Sequence, residues 1–183
     1  MDGAQLVGFG GKVPLIDPTA FVAPGARLIG DIELGPDASI WYNCVLRGDV
    51  NRIRIGARTN IQDGSVLHCD SPRPGNPEGH PTLIGEDVLI GHLAMVHGCV
   101  LEDRAFVGLG SIVMDGCRIE SDAMLAAGAM LTPGKTIPSG QLWAGRPAKY
   151  VRDLSEADLV GMRAGVVHYV QLARAHAAAL TAG

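Results

Sequence analysis

Aromatic residues are scarce in this chain: Phe, Tyr and Trp together supply 4% of its 183 residues, although apolar residues of all kinds supply 47%. A core without large rings has to be filled by small aliphatic side chains stacked in a regular way, and the 25 glycines fit the same repetitive design. Positive charge is also short. The formal net charge of −4 leaves no basic surface, which argues against a nucleic-acid partner. No segment approaches the roughly eighteen consecutive apolar residues that a membrane-spanning helix needs. The opening "MDGAQLVGFGG" has neither the charged nor the apolar region of a signal peptide, so a cytoplasmic protein without a membrane partner is expected. Cys44, Cys69, Cys99 and Cys117 show no CxxC spacing and read as free thiols. The length suits one domain, or one domain with an appendage.

What is present is a period of six. Ile16, Val22, Leu28, Leu34, Ile40 and Leu46 follow one another at that step, then Ile55, Ile61 and Leu67, then Ile84, Ile90 and Val96. After one five-residue step the run continues through Leu101, Val107, Val113, Ile119, Leu125, Leu131 and Ile137. Small residues recur four places after an anchor, among them Ala26, Ala38, Cys44, Ala94, Ala105, Cys117 and Ala123. The pattern predicts an all-β repeat, a parallel β-helix of triangular section. Each hexapeptide supplies one short strand and one corner, and three make a coil that advances the chain by about 4.8 Å. The β-helix is expected over residues 1–140. "GQLWAGRPAKYVRDL" reads as a linker over 141–154, and Ser155 as the N-cap of a helix from about Glu156 to Ala179 within a C-terminal segment 155–183. Leu159, Met162, Val166, Val170 and Ala173 would give that helix one apolar face, packed on the β-helix or on a neighbouring subunit.

The register also sorts the histidines. His68 and His97 each follow an anchor directly, and those anchors are three hexapeptides apart if the loop at 70–82 adds no turn. The two rings then point outward, one above the other. His92 sits two places after its own anchor on a different face, out of reach within one prism. A threefold assembly that set that face against a neighbour's His68 and His97 would complete the set. Three neutral imidazoles with an open fourth position are the arrangement in which Zn²⁺ activates water. Cys69 and Cys99 are alternative soft ligands, whereas His80, His168 and His176 read as solvated. Arg47 falls beneath His68 in the same register, and Gln62 beneath the His92 region.

"LRGD" at 46–49, "NIQDGSVLH" at 60–68 and "GHLAMVHG" at 91–98 resemble the gamma-class carbonic anhydrases and their bacterial homologues. With the hexapeptide run and the "AGRPAK" exit to a helix, the resemblance covers nearly the whole chain. It implies a left-handed β-helix, a homotrimer, and Zn²⁺ (or Fe²⁺ or Co²⁺) bound by His68 and His97 of one chain and His92 of the next. It also implies that Arg47 and Asp49 pair across the subunit interface, that Gln62 orients a metal-bound hydroxide, and that Asn60 is a second polar group nearby. The activity implied is the reversible hydration of carbon dioxide to bicarbonate. The chain departs from the archaeal prototype in proton export, because Val50 replaces a glutamate and Asp70, Glu78 and His80 give no clear match in the loop. Tyr169 is a candidate to reach a neighbour's site. The competing readings are an acyltransferase of the same fold using coenzyme A, a thioesterase-like hydrolase, and a scaffold subunit of low activity.

Overall fold

The computed structural model describes residues 3–182 of the chain. The six-residue period becomes a left-handed parallel β-helix with a ladder of strands on each of three faces. On the first face Leu28, Leu46, Leu67, Val96, Val113 and Leu131 lie opposite one another in sequence. Leu34, Ile55, Ile84, Leu101, Ile119 and Ile137 do so on the second. The third stacks Val22, Ile40, Ile61, Ile90, Val107 and Leu125. All these anchors are buried, and the recurring alanines and cysteines fill the space between them. Burial of such columns of aliphatics, at about 25 cal/mol per Å², is the driving force that replaces a core of rings.

Both insertions leave the register intact. Leu46 still meets Leu67, and Leu67 still meets Val96, so neither adds a coil. The first is absorbed in a strand, Val45–Ile55, that runs through a corner from one face to the next. The second folds on itself through a bridge between Asp70 and His80, and Asn51 ties it down by donating from Nδ2 to the carbonyls of Asp70 (3.1 Å) and Glu78 (2.8 Å).

The stretch 141–154 is not a linker. Gln141–Ala144 joins the third face in parallel beside Met124–Leu125, and Lys149–Asp153 folds back antiparallel along it. The glycine and proline that suggested a linker lie instead in the turn of this hairpin, where Gly145 takes φ +96°. At the other end Gln5–Val7 pairs with Arg27–Ile29, so the prism begins before Ile16.

The helix spans Glu156–Thr181. Ser155 Oγ accepts from the Asp158 amide, and the Asp158 carboxylate accepts from the Ser155 amide, a reciprocal cap that satisfies two otherwise unpaired donors. Met162, Val166 and Ala173 are buried, and the helix packs on the third face of its own chain. Four of the eight aromatics gather at that contact. Trp41 meets Phe21 and Tyr169 edge-on at 5.5 and 5.4 Å, and Tyr42 hydroxyl lies 2.9 Å from Nδ1 of His176. His176 is therefore a docking residue of the helix, not the solvated side chain expected.

One corner of the prism carries charge in five successive coils. Asp37, Arg58, Asp87, Arg104 and Asp122 all occupy the left-handed region there, with φ of 54°, 59°, 57°, 62° and 58°. Arg58 pairs with Asp87 at 2.6 Å and Arg104 with Asp122 at 2.8 Å. The end members meet the helix, Asp37 through Arg174 at 2.9 Å and Asp122 through Arg163 at 3.8 Å.

Candidate metal centre

Adjacent strands of the first face carry Arg47, His68 and His97 directly opposite one another, as the register predicted. The His68 and His97 rings lie 4.9 Å apart between centroids, with His68 Nδ1 2.9 Å from His97 Nε2. Each ring is held from behind by a carboxylate. His68 Nε2 is 3.0 Å from Asp49 Oδ1, and His97 Nδ1 is 2.5 Å from Asp115 Oδ1. An ionised carboxylate only accepts hydrogen bonds, so those ring nitrogens carry the protons. When both rings are neutral, the two nitrogens that face each other carry the lone pairs. Burial pulls the His68 pKa below its ordinary value, and the charge of Arg47 and the nearby His97 ring add to this, outweighing the Asp49 hydrogen bond. His68 is thus kept neutral. Two imidazole nitrogens converging on one point are donors of the kind that could hold a metal ion. Arg47 Nη2 approaches the same His68 nitrogen at 3.4 Å.

Arg47 and Asp49 meet within one chain, at 2.7 Å. Burial pushes Asp49 upward, but hydrogen bonds from Arg47 and His68 together with the Arg47 charge prevail and leave it below the usual carboxylate value.

His92 is not brought to this pair. It lies at the corner after Leu89–Ile90, where its Nδ1 is 2.9 Å from Asp63 Oδ2 and its Nε2 is bare by the same argument. Among the described residues no single chain gathers three metal-ligating side chains around one point. Around His92 the surface is apolar and open, with Leu93 72%, Leu109 57% and Met95 38% exposed. Leu93 also takes φ +60°, a conformation filled at the equivalent corners by Gly64, Gly110 and Asn43.

Gln62 and Asn60 are buried, because the docked helix covers the third face outside them. Gln62 Nε2 donates to Asn60 Oδ1 at 3.1 Å, which leaves Asn60 Nδ2 as a buried donor without a partner. Tyr169 packs on Trp41, and its hydroxyl is pushed up by burial and by the charge of Asp63. Cys69 and Cys99 point inward and are buried, and burial raises both thiols, so neither serves as a ligand. Asp63 and Asp115 were not singled out from sequence. Asp63 stands one coil below His92 in the register set by Asn60 and Leu89, a relation the six-residue phase contains. Two clefts of about 350 and 400 Å³ flank the helix, and no histidine lines either.

No protein-family profile matches the chain. It is 46% identical to "Gamma carbonic anhydrase 1, mitochondrial" of Arabidopsis thaliana over 91% of this chain and 60% of that one, so it spans about three fifths of the plant relative's length. It is 41% identical to "Probable carbonic anhydrase" of Methanocaldococcus jannaschii, covering 86% of this chain and 95% of that one. Among solved structures, a hexapeptide transferase family protein from Anaplasma phagocytophilum superposes with a TM-score of 0.87 at 47% identity, covering 96% of this chain and 99% of that one. No helix among the described residues is long and apolar enough to cross a membrane.

Proposed function

The chain belongs to the gamma carbonic anhydrase family, and from that premise we propose that it catalyses the reversible hydration of carbon dioxide to bicarbonate at sites shared between the chains of a homotrimer. His68 and His97 of one chain and His92 of the next would hold a divalent metal ion. The observation that carries this reading is the facing pair of ring nitrogens, His68 Nδ1 and His97 Nε2, each on a ring whose other nitrogen is held by its own carboxylate. Charge supports it. Asp49, Asp63 and Asp115 less the one guanidinium of Arg47 leave two negative charges around the three imidazoles, the complement of a divalent cation. The apolar surface around His92 is of the kind that marks a protein interface.

A divalent ion in such a site, Zn²⁺ by resemblance or else Fe²⁺ or Co²⁺, acidifies water to a pKa of about 7, a value itself established on a carbonic anhydrase, and so supplies a nucleophile toward carbon dioxide at neutral pH. The chain's own groups do the rest. Gln62 spends its amide nitrogen on Asn60, which leaves Oε1 to accept from a reacting water, while Asn60, buried beneath the helix, would fix the orientation of that amide. Arg47 and Asp49 hold the His68 ring and neutralise each other. Tyr169, whose hydroxyl feels the charge of Asp63, would reach toward a neighbour's site. An acyltransferase would need one general base, whereas here three imidazoles are each held in a set tautomer.

The test is complementation. Trimers of His92→Ala alone or His68→Ala alone should hold no complete site. Co-expressed in equal amounts, a His92→Ala chain offers intact His68 and His97 to a neighbouring His68→Ala chain that keeps His92. About one interface in four should then regain all three ligands under random mixing into closed threefold rings. Tightly bound metal and carbon dioxide hydration should reappear in the mixed sample. Mixed trimers that recover neither would rule out the shared site.

A further inference from the structure

We propose that Asp115 is a positioning residue for the metal: it holds His97 in the tautomer and orientation that turn Nε2 toward His68, and so sets how tightly the site binds a divalent cation. The proposal rests on the shared-site reading above. Metal-binding histidines commonly donate their second ring nitrogen to a carboxylate, which fixes the ring and raises its basicity. The three carboxylates here are not equivalent. Asp49 divides itself between His68 and Arg47, whose positive charge drains its effect on the ring. Asp115 has His97 as its single side-chain partner among the described residues, at the short distance of 2.5 Å.

The approach is built into the backbone. Val113 lies opposite Val96, so Met114 stacks over His97 while Asp115 stacks over Gly98 and must lean back by one position to reach the ring. Gly98 makes that lean possible. It sits at φ +52°, and a Cβ there would stand 2.3 Å from Asp115 Oδ1 and 2.9 Å from His80 Cβ. Any larger residue at 98 would push the carboxylate off His97. His80, returned to this corner by the Asp70 bridge, places Cε1 3.3 Å from where a Gly116 Cβ would be and closes the far side. With no lysine or arginine on Asp115, a plain surface ion pair does not account for its placement.

Two variants and two readouts test this. In metal-free protein, ¹⁵N NMR of the histidine rings should show His97 protonated at Nδ1, and Asp115→Ala should release it to a mixture of tautomers. Zinc affinity, measured by competition with a chromophoric chelator, should fall about 10- to 100-fold in Asp115→Ala. Asp115→Asn, whose amide oxygen still accepts from Nδ1, should restore the tautomer and recover part of the affinity. An Asp115→Ala protein that keeps the wild-type circular dichroism and binds zinc within twofold of wild type overturns the proposal alone. Wild-type protein that binds no zinc overturns the shared site and the proposal with it.

Discussion

Leu93 is a leucine where its neighbours in the corner stack are glycine or asparagine, and replacing it separates two contributions to stability. A non-glycine residue in the left-handed region costs roughly 1–2 kcal/mol, and asparagine bears that conformation better than most. Leu93→Asn, the residue found at the equivalent corner as Asn43, should therefore stabilise the isolated chain by about 1 kcal/mol. The side chain it removes is 72% exposed and rests over Gly64, where a Cβ would come within 2.7 Å of Leu93 Cδ2. Burial of a whole leucine is worth about 1.5–3 kcal/mol, so covering the exposed part against another chain should contribute about 1–2 kcal/mol per interface. Since 1.4 kcal/mol is tenfold in an equilibrium constant, each interface should weaken about tenfold on losing it. Urea unfolding under dissociating dilution, compared with sedimentation velocity over a concentration series, reads the two effects apart. The expected result is a chain harder to unfold and an assembly easier to dissociate. An assembly unchanged in strength would refute the assignment of this patch to the interface, and a chain less stable than wild type would refute the strain.

Gln62→Ala should lower turnover of carbon dioxide while metal content stays at the wild-type level, since it touches Asn60 and not a histidine; loss of metal in that variant would move Gln62 among the ligands. Burial pushes the Cys44 thiol up to about 12 and raises those of Cys69, Cys99 and Cys117, so none should react with a disulfide reagent at pH 8 until the protein unfolds. The sign of the linked effect on stability follows: the unfolded chain releases these protons first, so stability is full below about pH 9 and declines as pH rises toward 12, which urea titrations at several pH values would register. Ser155→Ala removes the acceptor for the Asp158 amide and should cost about 1 kcal/mol of helix stability, visible as faster amide exchange in the first turn of the helix.

The strands and the Arg47, His68, His97 column were legible because the interior admits only aliphatics, and their phase determines which residues stand above which. That phase tells which column a side chain belongs to, not which way it leans. Asp115 belongs to the column of Gly98 and reaches His97 through a gap left by a missing Cβ, a fact of rotamer and backbone that no period records. The burial of Gln62 and the hydrogen bond of His176 depend on where the helix docks, which is a matter of tertiary contact. Residues 141–154 misled for a local reason: Gly145 and Pro147 signal a break, and a hairpin turn and a linker need the same residues.

The two clamps between helix and prism work as a gauge of length. Arg163 and Arg174 are eleven residues apart, about 16.5 Å along a helix at 1.5 Å per residue. Asp37 and Asp122 are separated by four coil steps through Arg58, Asp87 and Arg104, about 19 Å at 4.8 Å per step. Flexible arginine side chains take up that small difference. An extra coil inserted between the two aspartates would stretch the ladder to about 24 Å and leave one clamp empty. Each exposed pair is worth only about 0–1 kcal/mol, and the buried Met162, Val166 and Ala173 along the same stretch of helix carry most of the binding. What the pairs add is a tally. A solenoid can lengthen by duplicating a repeat, but in this one the strut along its third face spans a set number of coils, and new ones are accommodated only beyond its ends.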